Sequence, residues 1–420
     1  MSQEPSDNRA LLWGLQGVAV ESVETLSEAP DSAAPPIKVV HLINRTDRHV
    51  CPDCGKSFTE GLFEEFNRTR FRDCSLGDRV THVEIRAMRI ACCGGTRVEQ
   101  FPFAMPGFRM TRRFFERVAA LCTRIPIRTV AELVDLSWDT VARVDKKAIE
   151  LGLGERILDL NSLRWIGVDE VSRTGGHVYF TIVTDLVKGQ VIWIGDGKGE
   201  RGFKPFLDLL GKKRRRRIRG VVSDLGYQAA IANGLPEAIH VLDRFHIVLW
   251  ANEAISQLRR RIFSASPPDE LGRELKGKKW VLLSAREALD KKGRQLLEEL
   301  AGANEELYHA YLLKERLRGI LRHPWKHAAV LRARVKEWIE MAREAGIREF
   351  CRVASRLEPH VEAVVAGHQF NLKMGLVEAI NGKIAMLRRQ ARGYRDPEYF
   401  KLKILQRCGM PDNPWARITL

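Results

Sequence analysis

Long apolar runs are absent from this chain of 420 residues. A membrane-spanning helix needs roughly 18–20 consecutive apolar residues, so no transmembrane helix is expected. The N-terminal residues include acids and have no apolar core, and a secretory signal is not expected either. Cysteine is scarce: eight residues are spread along the whole chain, with one adjacent pair. A chain long enough to bury a sizeable core needs no disulfide staples. That usage points to a reducing cytoplasm, with cysteines as metal ligands or core residues. No segment recurs at a fixed period, which excludes a repeat architecture. Acidic residues are in deficit, 53 Asp and Glu against 69 Lys and Arg, for a formal net charge of +16. Such an excess calls for a polyanionic partner, because each Lys or Arg set against a phosphate releases condensed counterions. A ribosomal or membrane-surface protein would share it, so charge alone does not decide. What remains is ordinary for a folded protein, 45% hydrophobic and 29% charged residues, and global disorder is excluded.

Residues 1–36 are polar and turn Pro/Ser/Ala-rich towards Pro35-Pro36. They read as a flexible arm, in which Leu11–Val20 could form a short helix or strand. From Ile37 the texture becomes β-like, as in Ile37–Val40 and Val80–Ile85, and from Thr111 to about Gly152 apolar residues recur at helical spacing. Strands are predicted at Leu163–Asp169, Val178–Val183 and Val191–Ile194, the last two paired across Lys188-Gly189. A helix over Gly202–Leu210, strands at Ile218–Asp224 and Ile239–Leu242, and a helix from Arg244 complete a mixed α/β layout. Ile247–Glu362 is almost entirely helical in pattern, broken near Ser266-Pro267-Pro268. A last helix, Gly375–Gln390, precedes a Gly393-Tyr394 turn.

Cys51-Pro52-Asp53-Cys54-Gly55 is half of a zinc knuckle. Two thiolates three apart on a tight turn can reach one tetrahedral zinc, and the glycine lets amides approach the sulfurs. Cys92-Cys93 is the candidate second half. Neighbours in a strand point to opposite faces, so Cys74, His82 or water is the alternative fourth ligand, and a metal-free ribbon stays open. Thr129–Asp145 has the pattern of a helix-turn-helix, with Ala131 and Leu133-Val134 inward and a turn at Asp135-Leu136-Ser137. Ser137 would cap the second helix, which would present Trp138, Asp139, Thr140 and Arg143 to a major groove, with Arg112 and Arg113 adding positive charge before it. A purely structural helical hairpin is the plainer alternative.

Trp165–Asp169 and Val221–Asp224 each deliver an aspartate to the end of an apolar strand. One such residue is usually a turn former; two on neighbouring strands create an edge suited to hard cations. A third acid should come from a helix packed beside them. Glu378 suits this role, sharing a face with Asn381 and Gly382 opposite Leu376, Ile380 and Ile384. Three carboxylates can hold two divalent ions that activate water or a 3′-hydroxyl and neutralise the oxygen leaving phosphorus. His246, three residues after Asp243, could contact DNA or brace the metal site, while Asp243 is equally a helix cap. Two basic stretches suit phosphate: Lys212, Lys213, Arg214, Arg215, Arg216 and Arg217, and a stripe of Lys383, Arg388, Arg389, Arg392 and Arg395.

From about Ile37 to the C-terminus, this ordered set resembles the ISL3 family of bacterial insertion-sequence transposases. It runs Cys-Pro-x-Cys-Gly, helix-turn-helix, Gly-Val-Asp-Glu, Ser-Asp, Asp-Arg-Phe-His, then Glu-x-x-Asn-x-Lys with a following Gly-Tyr. Two places depart from the family pattern, Cys92-Cys93 where a second CxxC is usual and Lys373-Met374-Gly375 before Glu378. The resemblance implies a multidomain α/β protein with an RNase H-like mixed sheet and a large helical insertion, preceded by a zinc-ribbon-like module and a helix-turn-helix. The corresponding boundaries are an arm at 1–36, the ribbon at 37–108, the helix-turn-helix at 109–158, the catalytic domain at 159–262, the insertion at 263–365, and the final catalytic helix with a tail at 366–420. It further implies a triad of Asp169, Asp224 and Glu378 with Mg²⁺ or Mn²⁺, and zinc at Cys51, Cys54, Cys92 and Cys93. The expected activity is cleavage at terminal inverted repeats and strand transfer into target DNA, by a dimer or higher oligomer in a bacterial cytoplasm, at the nucleoid. Asn381, Lys383, Arg388 and Arg389 are expected at the DNA with His246 and the basic run. The competing readings are a non-catalytic regulator descended from a transposase, an RNase H-like nuclease, and a structural ribosome- or nucleoid-associated protein.

Overall fold

The computed structural model describes residues 15–26, 37–44, 48–59, 63–76, 79–154, 159–174, 177–265, 279–370, 372 and 375–410. The Pro35-Pro36 stretch, the Ser266-Pro267-Pro268 break and Lys373-Met374 lie outside the described residues. The chain divides into two compact units near Arg156.

The first unit is built on strands β1 (Val18–Leu26), β2 (Ile37–Asn44), β5 (Phe63–Leu76), β6 (Arg79–Cys92) and β7 (Gly95–Val98), with a separate hairpin of β3 (His49–Val50) and β4 (Ser57–Phe58). The sheet order is β1-β2-β6-β5, with β7 also on β6. β2 and β6 are parallel and the other pairs antiparallel. Along β6, Thr81, Val83, Ile85 and Ala87 are buried in the period of two that a one-faced strand requires. They meet Val40, Leu42, Phe71, Phe101 and Phe103. The expectation of an arm to residue 36 fails from Leu15 onward: Leu15 and Val18 are buried in this core, and β1 pairs along β2. Polar outward residues such as Glu21 and Glu24 disguised an edge strand as arm.

Three helices follow, α1 (Arg112–Cys122), α2 (Ile127–Val134) and α3 (Trp138–Gly154). Phe115, Val118, Val130, Val134, Val141 and Val144 interlock between them. Thr111 caps α1 by accepting the Phe114 amide, and its hydroxyl donates to the buried Asp73 of β5 at 2.6 Å.

The second unit opens with β8 (Trp165–Ser172), β9 (Tyr179–Asp185) and β10 (Gln190–Asp196), an antiparallel meander. Helix α4 (Gly199–Arg215), β11 (Gly220–Ser223), α5 (Gln228–Gly234), β12 (Ile239–Leu242) and α6 (Arg244–Ala265) follow. The order is β10-β9-β8-β11-β12, with β8, β11 and β12 parallel. One face is covered by α4 and α5 through Phe203, Phe206, Leu210 and Ile231, with Tyr227 from the turn between β11 and α5. Helices α7 (Lys279–Leu283), α8 (Lys291–Ala303), α9 (Glu305–Arg322), α10 (Ala328–Glu344), α11 (Arg348–Leu357) and α12 (Val361–Gln369) then build, with α6, a core around Leu258, Leu317, Trp338 and Phe350.

Helices α13 (Gly375–Gln390) and α14 (Pro397–Cys408) return to the other face of the sheet, where Ile380, Ile384, Phe400 and Ile404 pack on Val171, Phe180 and Val191. Helix α14 corrects the expectation of a tail after Gln390. Asp396 caps it and Pro397 sits in its first turn, a start signal already present in the sequence. The buried face of α13 carries Val377 with Ile380 and Ile384, whereas Leu376 is only half-buried. Val377 fits because Gly167 of β8 has no side chain: a Cβ there would lie 2.6 Å from Val377 Cγ2 and 3.1 Å from Leu186 Cδ2. Gly167→Ala should therefore destabilise the chain by roughly 1–3 kcal/mol through overpacking. A denaturant titration should show Val377→Ala recovering part of that loss in the double variant, and simple additivity of the two losses would contradict this packing.

Candidate active site and metal centre

Parallel strands that end side by side bring their C-terminal residues to one edge. Here β11 and β8 are matched from Gly220↔Trp165 to Val222↔Gly167. Carried two residues further, that register sets Asp224 beside Asp169. Strand β8 itself continues to Ser172 on its β9 side, so Asp169 stands within the strand and not at its end as expected. Asp169 accepts the Glu170 amide at 2.7 Å and, through its other oxygen, the side-chain amide of Asn381. Burial pushes its carboxyl up to about 6, against the stabilising Glu170 amide and His246. His246 Nε2 lies 3.9 Å from Asp169 and its Nδ1 3.5 Å from Asp243. Burial would lower that imidazole, but the Asp243, Asp169 and Asp224 carboxylates outweigh it and raise its pKa. Asp243 also accepts the Phe245 amide at 3.0 Å in capping α6, as its helix-cap reading expects.

Asp224 caps the turn after β11 by accepting the Gly226 amide at 2.9 Å. Glu378 is exposed in the first turn of α13, one turn before Asn381 on the same face. Among the described residues these three carboxylates are not gathered at ligand distance, as a set of cysteines elsewhere is. Asn381 Oδ1 is buried and has no partner. Asn381 thus touches the acid edge directly, where the sequence suggested DNA contact.

Glu170 carries a role that sequence reading missed. Half-buried, it accepts the Gly199 amide at 3.0 Å; burial raises its pKa, and the nearby Asp224 charge adds to the rise. The signal was available, since an acid on the inward side of an apolar strand needs a partner.

In the first unit, Cys51, Cys54, Cys92 and Cys93 have sulfurs all within 4.8 Å of one another. Gly55, at φ 69°, closes the Cys51–Lys56 turn. Cys93 is not in the strand: β6 ends at Cys92, and Cys93 adopts φ 54° in the turn before Gly94. The strand-alternation argument against an adjacent pair therefore does not apply. Cys54 Sγ and Cys93 Sγ each lie 3.6 Å from Cys92 Sγ, close to the about 3.8 Å edge of a tetrahedron with 2.3 Å zinc–sulfur bonds. Cys74 packs on the helical core and His82 sits along β6, both outside the cluster. The Lys56 amide and neighbouring thiols lower Cys54 to about 7, whereas hydrogen bonding to Cys54 and Cys92 pushes Cys93 up to about 12.

Helices α2 and α3 form the expected helix-turn-helix, with Asp135 at φ 51° in the turn and Ser137 accepting the Thr140 amide at 3.3 Å. Leu133 was expected inside but is 65% exposed, so Val130 supplies the inward contact instead. Trp138 and Asp139 are exposed, and Thr140 is bound to the Ser137 hydroxyl at 2.8 Å. Arg143 lies over the Phe108 ring at 5.2 Å. Arg112 is exposed, but Arg113 is engaged in an ion pair with the buried Asp73. Arg388 likewise donates to the Ser172 carbonyl at 2.6 Å, so both have partners within the fold. Lys383, Arg389, Arg392 and Arg395 remain exposed. The run Lys212–Arg217 begins inside α4 beyond a break at Gly211. Among the described residues no helix is long and apolar enough to cross a membrane.

A family model described as a transposase of the ISL3 type matches residues 166–404, and that of the helix-turn-helix domain of transposase family ISL3 matches residues 99–149. The transposase for insertion sequence element IS1001 of Bordetella parapertussis is 30% identical over 416 residues, covering 96% of this chain and 97% of its own. The transposase for insertion sequence element IS1557 of Mycobacterium tuberculosis is 30% identical over 354 residues, covering 78% of this chain and 79% of its own.

The Asp73 carboxylate is 1% exposed and Arg113 24% exposed. Arg113→Ala would leave a buried charge unpaired, at a cost of about 3–5 kcal/mol. Thermal melting should show that loss, with the exposed Arg112→Ala within about 0.5 kcal/mol of the parent; equal effects of the two would contradict the assignment.

Proposed function

The chain belongs to the ISL3 family of transposases, and from that premise we propose that Asp169, Asp224 and Glu378 together hold the divalent ions with which it cuts and joins DNA. The observation that carries this reading is the Asn381–Asp169 hydrogen bond, which ties the helix bearing Glu378 to the strand bearing Asp169. The donor set fits a hard cation: carboxylate oxygens, a buried Asp169 whose charge is costly without one, and the unpartnered Asn381 Oδ1. When bound, Mg²⁺ or Mn²⁺ supplies Lewis acidity to a phosphoryl oxygen and to the attacking water or 3′-hydroxyl. Asn381 and His246 orient Asp169, and Asp243 orients His246. The order β10-β9-β8-β11-β12, with helices on both faces and acids on β8 and after β11, supports an RNase H-like sheet. The helices from 279 to 369 are then its insertion.

The helix-turn-helix reads the element's terminal repeats through Trp138, Asp139 and the start of α3. Two ends must be held together for joining, which calls for a dimer or higher assembly on double-stranded DNA. Zinc suits the four thiols by donor type and spacing, and fastens the end of β6 to the Cys51–Cys54 turn.

Asp169→Asn, Asp224→Asn and Glu378→Gln should each reduce metal-dependent cutting and joining of labelled terminal-repeat duplexes by on the order of 10³-fold or more, with unchanged melting. Wild-type repeat binding without cutting under either metal would instead favour the regulator. Asn381→Ala should lose roughly 10–100-fold, partly recovered by excess Mn²⁺, as an orienting residue would. The purified chain should carry one zinc per four-cysteine cluster, lost in Cys51→Ser and Cys54→Ser by elemental analysis; zinc-free parent chain of the same melting temperature would refute the assignment.

A further inference from the structure

The basic run lies at the end of the sheet opposite the carboxylates. Arg164 precedes β8, and Arg217 and Arg219 precede β11, whereas Asp169 and Asp224 lie beyond the last residues that pair these strands. At roughly 3.3 Å per residue, the path from Gly220 to Asp224 separates the two edges by about 13 Å. The edges also face opposite ways, so a straight duplex lying across the acids does not reach the basic run. The order of motifs along the chain suggests the two side by side; the topology of β11 separates them.

Gly211 makes the basic edge. Its φ of 67° and ψ of 162° interrupt α4 in a region that only glycine occupies cheaply. A Cβ there would meet nothing within 4 Å, so backbone freedom and not packing requires the glycine. The break borders a hollow of about 530 Å³ lined by Asn161, Lys212, Lys213, Arg214 and Arg217 among others. Charges in the run then divide into two groups. Arg214 donates to Asn161 Oδ1 at 3.0 Å, Arg215 pairs with Asp208 at 2.9 Å, and Arg216 lies 3.8 Å from Glu237. Asp159, the acid nearest Asn161 in sequence, accepts that residue's own amide at 2.9 Å. Lys212, Lys213, Arg217 and Arg219 are exposed, and among the described residues no ion pair engages them.

We infer that this edge is a second duplex-DNA surface, gripping the phosphate backbone of a segment distinct from the one at the carboxylates. It rests on the reading that the acid edge acts on DNA ends. Lys212, Lys213 and Arg217 line a hollow that admits a phosphate, with Asn161 fixing Arg214 at its wall and Arg219 exposed two residues further along the chain. None is aimed by a recognition helix, so contact is with the backbone and independent of sequence.

The test is fluorescence anisotropy of the full chain with a short duplex of unrelated sequence, without divalent metal, across a salt series. Withdrawing one cation from the phosphate backbone lowers the slope of log affinity against log salt by about 0.9. The combined variant Lys212→Gln, Lys213→Gln, Arg217→Gln and Arg219→Gln should have a slope shallower by about 3–4. The charge-keeping set Lys212→Arg, Lys213→Arg, Arg217→Lys and Arg219→Lys should keep the parent slope. An unchanged slope in the glutamine variant overturns the inference, as does an equally shallow slope in the charge-keeping set. Failure of the carboxylate reading leaves the anisotropy result untouched, since that measurement needs neither metal nor element ends.

Discussion

One close approach governs the second unit: α13 crosses β8 where Gly167 leaves room for Val377. Only because the helix sits that near can Asn381 reach Asp169, and Glu378, one turn earlier, can share its edge. The helices from 279 to 369 intervene in sequence between Asp224 and Glu378, so the position of Glu378 depends on a contact made after a long excursion. These helices pack with α6 and with Leu242 of β12 in one core around Trp338 and Phe350. Glu378 is therefore set by tertiary packing, whereas Asp169 and Asp224 are set by the sheet.

Charge is distributed along the strands in the same sense. The C-terminal edge gathers Asp169, Glu170, Asp224 and Asp243, with His246 between two of them. Burial makes Asp169 a reluctant anion, and its neighbours soften that cost only in part. In the proposed reading a divalent cation offsets the rest. The N-terminal edge carries Arg164 and the run after Gly211. Parallel strands expose two chemically different ends, and the chain loads them with opposite signs.

Much of this was legible in the residues themselves. Short apolar runs capped by Asp169 and Asp224, the Lys188-Gly189 turn, and the span of α13 follow from period and turn chemistry. Other features were hidden for identifiable reasons. Strand β1 looked like arm because its outward residues are polar and only Leu15, Val18 and Ala19 are buried. Cys92-Cys93 looked unsuitable because alternation was assumed, and a single φ of 54° changes which way Cys93 points. The partners of Arg113 and Arg388 were hidden because sequence gives a charge but not what it meets; Asp73 and the Ser172 carbonyl are each far away in the chain. Helix α14 was missed although Asp396-Pro397 announces it.

In the proposed function, acids from two strands and one returning helix form a single metal site. Calorimetric titration of Mn²⁺ into the full chain bound to a terminal-repeat duplex tests it most directly. Saturable binding that weakens in both Asp169→Asn and Glu378→Gln is the expected result. Mn²⁺ binding by Glu378→Gln indistinguishable from the parent would contradict it, because the helix would then have no part in holding the ion.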